Sequence, residues 1–287
     1  MNNNITIKND GFILNICIKG SGSPVLVVGS SIYYPRLFSN ELYKNFQFIY
    51  MDHRGFVKSP RKLEPEDYTL DKILSDIEKV RTTLNLTTFS ILGHSGHAFM
   101  ALEYAKRYPN NIEKVILLNS APSNSMQRQK CSHAFFEKDA IEERKQVLSK
   151  EMELLQRDIE IEPERRFSYM CIRMGAMSFF DYNFDSAYLW KDVYTNMEII
   201  DYLWGVAFSD IDITNGLEKL NKPILLGLGR FDYLVAPITL WDSIIINNTQ
   251  VKKVVFEESG HNPMLEEEFQ FNGVLTKFLK DENESRY

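Results

Sequence analysis

Apolar residues along the 287-residue chain follow two spacings in alternation. Short, nearly unbroken apolar runs at 25–28, 46–51, 89–92, 115–118, 223–229 and 251–256 are of the kind buried on both faces of a parallel sheet. Between them, Leu70, Ile73, Leu74, Ile77, Val80 and Leu84 recur at helical spacing behind Thr69, a plausible N-cap. Ala98, Ala101, Leu102 and Ala105 mark a second helix that must stop by Tyr108, because Pro109 disfavours helical geometry before it. The polar and aromatic stretch between the runs at 25–28 and 46–51 is read as a crossover helix. Ahead of all this, 5–7 and 12–18 read as two strands joined at Asn9, Asp10 and Gly11, a hairpin turn signal. The recurrence of strand, helix, strand predicts an α/β fold with a mainly parallel sheet and right-handed crossovers.

The pattern changes near Pro122. Residues 135–166 are dense in charges at helical spacing, which reads as a solvated helix face, and 167–208 are rich in aromatics and methionine without strand alternation. This is a helical insertion, giving a core at 1–123 and 216–287 and a helical cap at 124–215. Met170, Met174, Met177, Phe179, Phe180, Tyr182, Phe184, Tyr188, Trp190, Tyr194 and Trp204 are divided between cap core and the lining of an apolar pocket. After the last strand a loop at 258–263 precedes a terminal helix at 264–279, and 281–287 form a polar tail expected to fray.

Composition narrows the class. A 44% hydrophobic chain of this length buries one large core. A net charge of -6 argues against nucleic-acid or membrane-surface binding, which needs a basic face. No apolar run approaches the roughly 18 residues of a membrane span, and the first residues lack a secretory pattern. Cys17, Cys131 and Cys171, odd in number and widely spaced, give neither a disulfide framework nor a zinc pattern, so a reducing cytoplasm is the expected setting and no metal is expected. There is no P-loop lysine and no dinucleotide fingerprint, so no cofactor is expected. The partner is a small-molecule or short peptide substrate; oligomeric state leaves no trace in the sequence.

The run at 89–92 stops at Gly93-His94-Ser95-Gly96, and a helical pattern follows at once. That is the sequence form of a nucleophile elbow, in which a serine sits in a strained strand-to-helix turn at a helix N-terminus. A serine nucleophile needs a base and an acid to hold the base, ordered Ser, Asp or Glu, His in this topology. Of the five histidines, His53 and His94 precede Ser95, His97 lies in the elbow and His133 opens the cap. His261 alone lies in a loop after a late strand. Asp232 follows a buried strand between Ser95 and His261, whereas the loop at 119–125 holds no carboxylate. His53, His94 and His97 are read as structural, and Arg54 as the partner of a buried ion pair.

With these residues in order, the chain resembles the α/β-hydrolase fold family, specifically cap-bearing members such as proline iminopeptidases, small esterases and carbon-carbon bond hydrolases. The resemblance rests on Gly93-His94-Ser95-Gly96, on Asp52-His53-Arg54-Gly55 with Ser59, on Gly229-Arg230-Phe231-Asp232 and on Gly260-His261. It implies an eight-stranded sheet flanked by helices, with Ser95 as nucleophile, His261 as general base and acid and Asp232 as its orienting carboxylate. The backbone N–H groups of Gly96 and Ser30 would form the oxyanion hole. The implied function is a serine hydrolase cleaving a small ester or amide through an acyl-enzyme, with proline iminopeptidase-like activity as one form in which Asp181, Asp185 or Asp201 receives a free amine. Val28, Val57 and His97 stand where the family prefers His, Gly and Gly. They keep open a non-catalytic ligand-binding member, and the same triad also serves a cofactor-free carbon-carbon bond hydrolase.

Overall fold

A computed structural model describes residues 3–281; the rest of the expected polar tail lies outside the described residues. β1 (Asn3–Asn9) and β2 (Phe12–Gly20) form the antiparallel hairpin. Asp10 and Gly11 turn it at φ 49° and 89°, the left-handed backbone that a two-residue hairpin turn demands. β2 pairs antiparallel with β4 (Phe46–Asp52). β3 (Ser23–Gly29), β5 (Phe89–His94), β6 (Ile112–Leu118), β7 (Ile224–Gly229) and β8 (Val251–Phe256) complete an eight-stranded, mainly parallel sheet in the order β1-β2-β4-β3-β5-β6-β7-β8.

Within β3 the pleat sends Leu26 and Val28 to one core cluster and Val25 and Val27 to another, so the strand is apolar throughout because both faces are covered. β3 lies between β4 and β5, so the chain order reverses there. A crevice opens beyond the carboxyl ends of strands at such a switch point. The pairing of Val28 with Gly93 therefore sets the loop after β3 beside the turn after β5.

α1 (Leu70–Thr83) and α2 (His97–Arg107) are the expected helices. Thr69 occupies the N-cap but makes no capping bond: its hydroxyl donates to the Glu66 carbonyl at 3.1 Å, claimed by the preceding 3₁₀ turn Pro65–Tyr68. The expected crossover helix before β4 is absent, replaced by two 3₁₀ turns, Tyr34–Arg36 and Leu42–Lys44. Pro35 cannot donate to a longer ladder, and Tyr34, Leu37, Phe38 and Leu42 enter the core from these short turns.

Between β6 and β7 lie α3 (Met126–Asp139), α4 (Glu142–Ile161), α5 (Arg166–Arg173), α6 (Gly175–Ser178) and α7 (Met197–Tyr202), the last running into a π-helical turn, Leu203–Ala207. α3 starts earlier than the charge pattern indicated, because Ser125 caps it by accepting from the Arg128 amide at 3.2 Å. α4 buries little beyond Arg144 and Leu155, so its charges do face solvent. After β7 come α8 (Asp242–Ile245), α9 (Pro263–Glu266) and α10 (Glu268–Lys280). The single terminal helix expected at 264–279 is thus broken at Glu267, whose carboxylate turns back to accept from Ser259 Oγ at 2.6 Å and the Glu258 amide at 2.9 Å. Arg54 makes the expected buried ion pair, with Asp76 on α1 at 2.8 Å. Among the described residues no helix is long and apolar enough to cross a membrane.

Candidate active site

β5 delivers Ser95 at the carboxyl edge of the sheet in the left-handed backbone region, φ 57°, with its amide bonded to the Leu118 carbonyl at 2.8 Å. A serine held at positive φ is strained and persists only where its surroundings fix it. Two glycines make the turn possible by leaving space. A Cβ on Gly93 would stand 2.3 Å from the His97 carbonyl oxygen, and one on Gly96 would stand 2.8 Å from Trp204 Cζ2. α2 begins at His97, so its N-terminal amides and positive dipole end lie next to Ser95.

The sheet's carboxyl edge also gathers Asp232 and His261, both buried. His261 Nδ1 lies 2.7 Å from Asp232 Oδ2. A carboxylate only accepts, so Nδ1 carries the proton and Nε2 keeps its basic lone pair. Ser95 and His261 line one cavity, although no hydrogen bond joins them among the described residues. Such bonds are often long before substrate binds.

Asn119, at the end of β6, was not singled out from the sequence. Its Nδ2 donates to Asp232 Oδ2 at 2.8 Å and to the Gly260 carbonyl at 2.9 Å, tying the acid to the histidine loop. Glu266 was missed as well: its carboxylate accepts from the amides of Gly260 at 3.1 Å, Asn262 at 2.9 Å and Phe180 at 2.7 Å. Burial pushes its pKa up against those bonds. An amide-bearing residue at a strand end and a glutamate five residues after a histidine are too common in sequences to signal these roles.

Ser30 follows Gly29 at the end of β3, beside Ser95, and both line the cavity. The loop lacks the family's histidine but has other supports. Ser30 Oγ accepts from the amides of Ile32 at 3.2 Å and Tyr33 at 3.1 Å, while buried Asp52 accepts from the Ser31 amide at 2.6 Å and from Asn15 Nδ2 at 2.8 Å. Desolvation raises the Asp52 carboxyl to about 6.

Three more histidines crowd beneath. His94 Nε2 donates to the His261 carbonyl at 2.7 Å, and Tyr34 Oη bridges His97 Nδ1 at 2.8 Å and His94 Nδ1 at 3.4 Å. His53 Nδ1 accepts from the Gly55 amide at 3.0 Å, as a structural residue should. Burial holds all three neutral, with His97 lowered to about 3 and His53 and His94 well below their ordinary value. His97 is more than a packed helix residue, since it also lines the cavity.

The cavity encloses about 620 Å³ between the sheet edge and the helical insertion. Of the aromatic and methionine set, Met170, Met174, Met177, Phe179, Trp190 and Trp204 line it, whereas Phe180, Tyr182, Phe184, Tyr188 and Tyr194 lie elsewhere. Of the three candidate amine acceptors Asp201 alone reaches the wall, and it is paired with Arg166. Among the described residues no group of three or more His, Cys, Asp or Glu is placed to hold a metal ion, and the three cysteines are free.

Comparison with known proteins identifies the fold family. The chain is 51% identical over 271 residues to the AB hydrolase superfamily protein YclE of Bacillus subtilis, covering 94% of this chain and 96% of that one. It is 26% identical over 275 residues to a proline iminopeptidase of Heyndrickxia coagulans, covering 91% of each. Its structure is similar to that of an esterase from Exiguobacterium antarcticum, with a TM-score of 0.70 at 23% identity, over 98% of this chain and all (100%) of that one. The family model described as alpha/beta hydrolase fold matches residues 22–268, and the chain belongs to that family.

Proposed function

We propose that the protein is a serine hydrolase acting on a small ester or amide through Ser95, His261 and Asp232. The observation that carries this reading is the buried 2.7 Å contact between His261 Nδ1 and Asp232 Oδ2 at the wall of the cavity that also holds Ser95 at φ 57°. In this scheme His261 Nε2 takes the Ser95 hydroxyl proton as Oγ adds to the substrate carbonyl, and Asp232 stabilises the imidazolium. The amides of Gly96 and Ser30 receive the oxyanion, with the α2 dipole behind them. His261 then gives its proton to the leaving group. Water, deprotonated by the same nitrogen, releases the acyl group and restores Ser95. The scheme uses no cofactor. Residues 124–215 act as the cap, and the apolar wall of methionine and tryptophan supports a substrate with an apolar acyl or alcohol part. The three free cysteines support a reducing, cytoplasmic setting.

Within this reading an ester or neutral amide is favoured over an N-terminal amine, because Asp201 is already paired with Arg166. The test is turnover of p-nitrophenyl acyl esters and aminoacyl anilides by the parent and by Ser95→Ala. The parent should cleave esters, and the variant should lose roughly 10⁴-fold or more in kcat. Equal rates in the two proteins would overturn the assignment.

A further inference from the structure

The charges at the cavity wall do not balance. Arg166 on α5 and Asp201 on α7 both line it and neutralise each other. Arg128, in the first turn of α3, lines it too and makes no ion pair among the described residues. Its guanidinium meets neutral acceptors: Nη1 donates to the Leu234 carbonyl at 2.8 Å and Ser132 Oγ at 3.2 Å, and Nη2 donates to Asn124 Oδ1 at 2.6 Å. Its Nε is buried with no hydrogen-bond partner among the described residues. Of the two buried arginines among the described residues, Arg54 has Asp76 against it and Arg144 is satisfied by the carbonyls of Ala176, Phe179 and Phe180.

Arg128 also has a definite place relative to the reacting groups. Leu234, whose carbonyl it binds, donates its own amide to Asp232 Oδ1 at 3.1 Å, so the guanidinium stands beside the turn that carries the triad's acid. The Asp232 carboxylate attracts Arg128 through space but makes no ion pair with it, and burial outweighs that attraction, lowering the Arg128 pKa below its ordinary value. A half-buried cation held by neutral acceptors at the wall of an otherwise largely apolar cavity gains most from an anion brought in by a ligand. Clipping α3 to the loop after β7 does not require a cation there, because Ser132 Oγ already does it by donating to the Ala236 carbonyl at 2.7 Å.

The geometry points to a substrate that carries a carboxylate, separated by an apolar segment from the carbonyl that Ser95 attacks, with Arg128 as the residue that receives the carboxylate. This specificity rests on the Ser95 reading only for which end of the substrate reacts. The wall charge is then the reverse of what a free amine needs.

Two measurements test it. The first compares kcat/KM for p-nitrophenyl hydrogen adipate and its methyl-capped diester, which replaces the remote carboxylate with a neutral methyl ester. The parent should prefer the anion by roughly tenfold or more, and Arg128→Gln should collapse that ratio toward one, mainly through KM, with Arg128→Lys restoring part of it. A purely structural arginine would lower both substrates together and leave the ratio intact, which overturns the proposal, as does a parent ratio of one or less. The second is calorimetric binding of monomethyl adipate and dimethyl adipate to Ser95→Ala and to Ser95→Ala with Arg128→Gln. Tighter binding of the monoanion, lost in the double variant, is expected; equal binding of the two esters overturns the proposal. If the parent cleaves neither p-nitrophenyl ester, it is the Ser95 reading that fails, and the calorimetric pair alone decides the role of Arg128.

Discussion

The imidazole of His94 donates from Nε2 to the main-chain carbonyl of His261 at 2.7 Å, linking the residue before the candidate nucleophile to the candidate base. The two rings lie 4.5 Å apart. A carbonyl only accepts, so the neutral His94 carries its proton on Nε2 and leaves Nδ1 to accept from Tyr34 Oη. The residue between Gly93 and Ser95 thereby sets the height of the histidine loop above the elbow.

Removing that link should loosen His261 more than it unfolds the protein. His94→Ala leaves a buried carbonyl unpaired, at a cost of about 1–3 kcal/mol. It should lower kcat for a p-nitrophenyl ester by roughly 10–100-fold through misplacement of the base. His94→Gln, whose amide nitrogen reaches as far as Nε2, should recover most of both losses. Chemical denaturation and steady-state kinetics on the two variants check this, and equal loss in both would contradict the hydrogen bond's role.

Buried neutral histidines make the fold sensitive to acid. His97 has a folded pKa of about 3, held down by burial, against about 6.5 when unfolded. The unfolded chain therefore binds the proton more readily, and the His97 contribution is complete above pH 6.5 and lost progressively as pH falls toward 3. Asp52 acts in the opposite sense: raised to about 6, its carboxyl takes up a proton more readily when folded, so its contribution grows as pH falls through 6. His97→Asn, which retains a donor for Tyr34 Oη, should reduce the pH slope of unfolding free energy between pH 6 and 4 by about 1.4 kcal/mol per pH unit. Urea titrations across that range measure the slope, and an unaltered one would show that His97 titrates normally.

The helical insertion reaches the turn after β5 through Trp204, which stands on the π-helical turn and packs over Gly96. Gly96→Ala places a methyl 2.8 Å from Cζ2, so the indole must move or the elbow must deform. Roughly a tenfold or greater fall in kcat/KM is expected, given that overpacking shifts neighbouring backbone. Trp204→Leu in the same protein should restore part of the loss by making room. A double variant no better than Gly96→Ala alone would place the defect in the proposed oxyanion site rather than in the contact.

Much of this was legible in the sequence because it depends on local pattern. The hairpin at Asp10 and Gly11, the two-faced burial of Val25 to Val28 and the placement of Ser95 after a strand each follow from residue type and spacing. Asp232 and His261 were reachable because this topology fixes the order of the parts, and the structure brings them into contact. What escaped depends on contacts across long stretches of chain. Asn119 meets Asp232 from 113 positions away, His94 meets His261 from 167, and no spacing rule connects such pairs. The 3₁₀ turns after β3 were misread because aromatic residues suit a helix as well as a short turn held by core packing. The break at Glu267 follows from a side-chain bond that helical periodicity does not register.

Covalent labelling of Ser95 tests the central claim most directly. The parent protein, treated with a fluorophosphonate and mapped by peptide mass spectrometry, should carry one adduct, on Ser95. His261→Ala should slow the labelling by roughly a thousandfold or more, the loss expected of a serine deprived of its proposed base. A folded parent that stays unmodified at Ser95, or that labels equally fast without His261, would contradict the account.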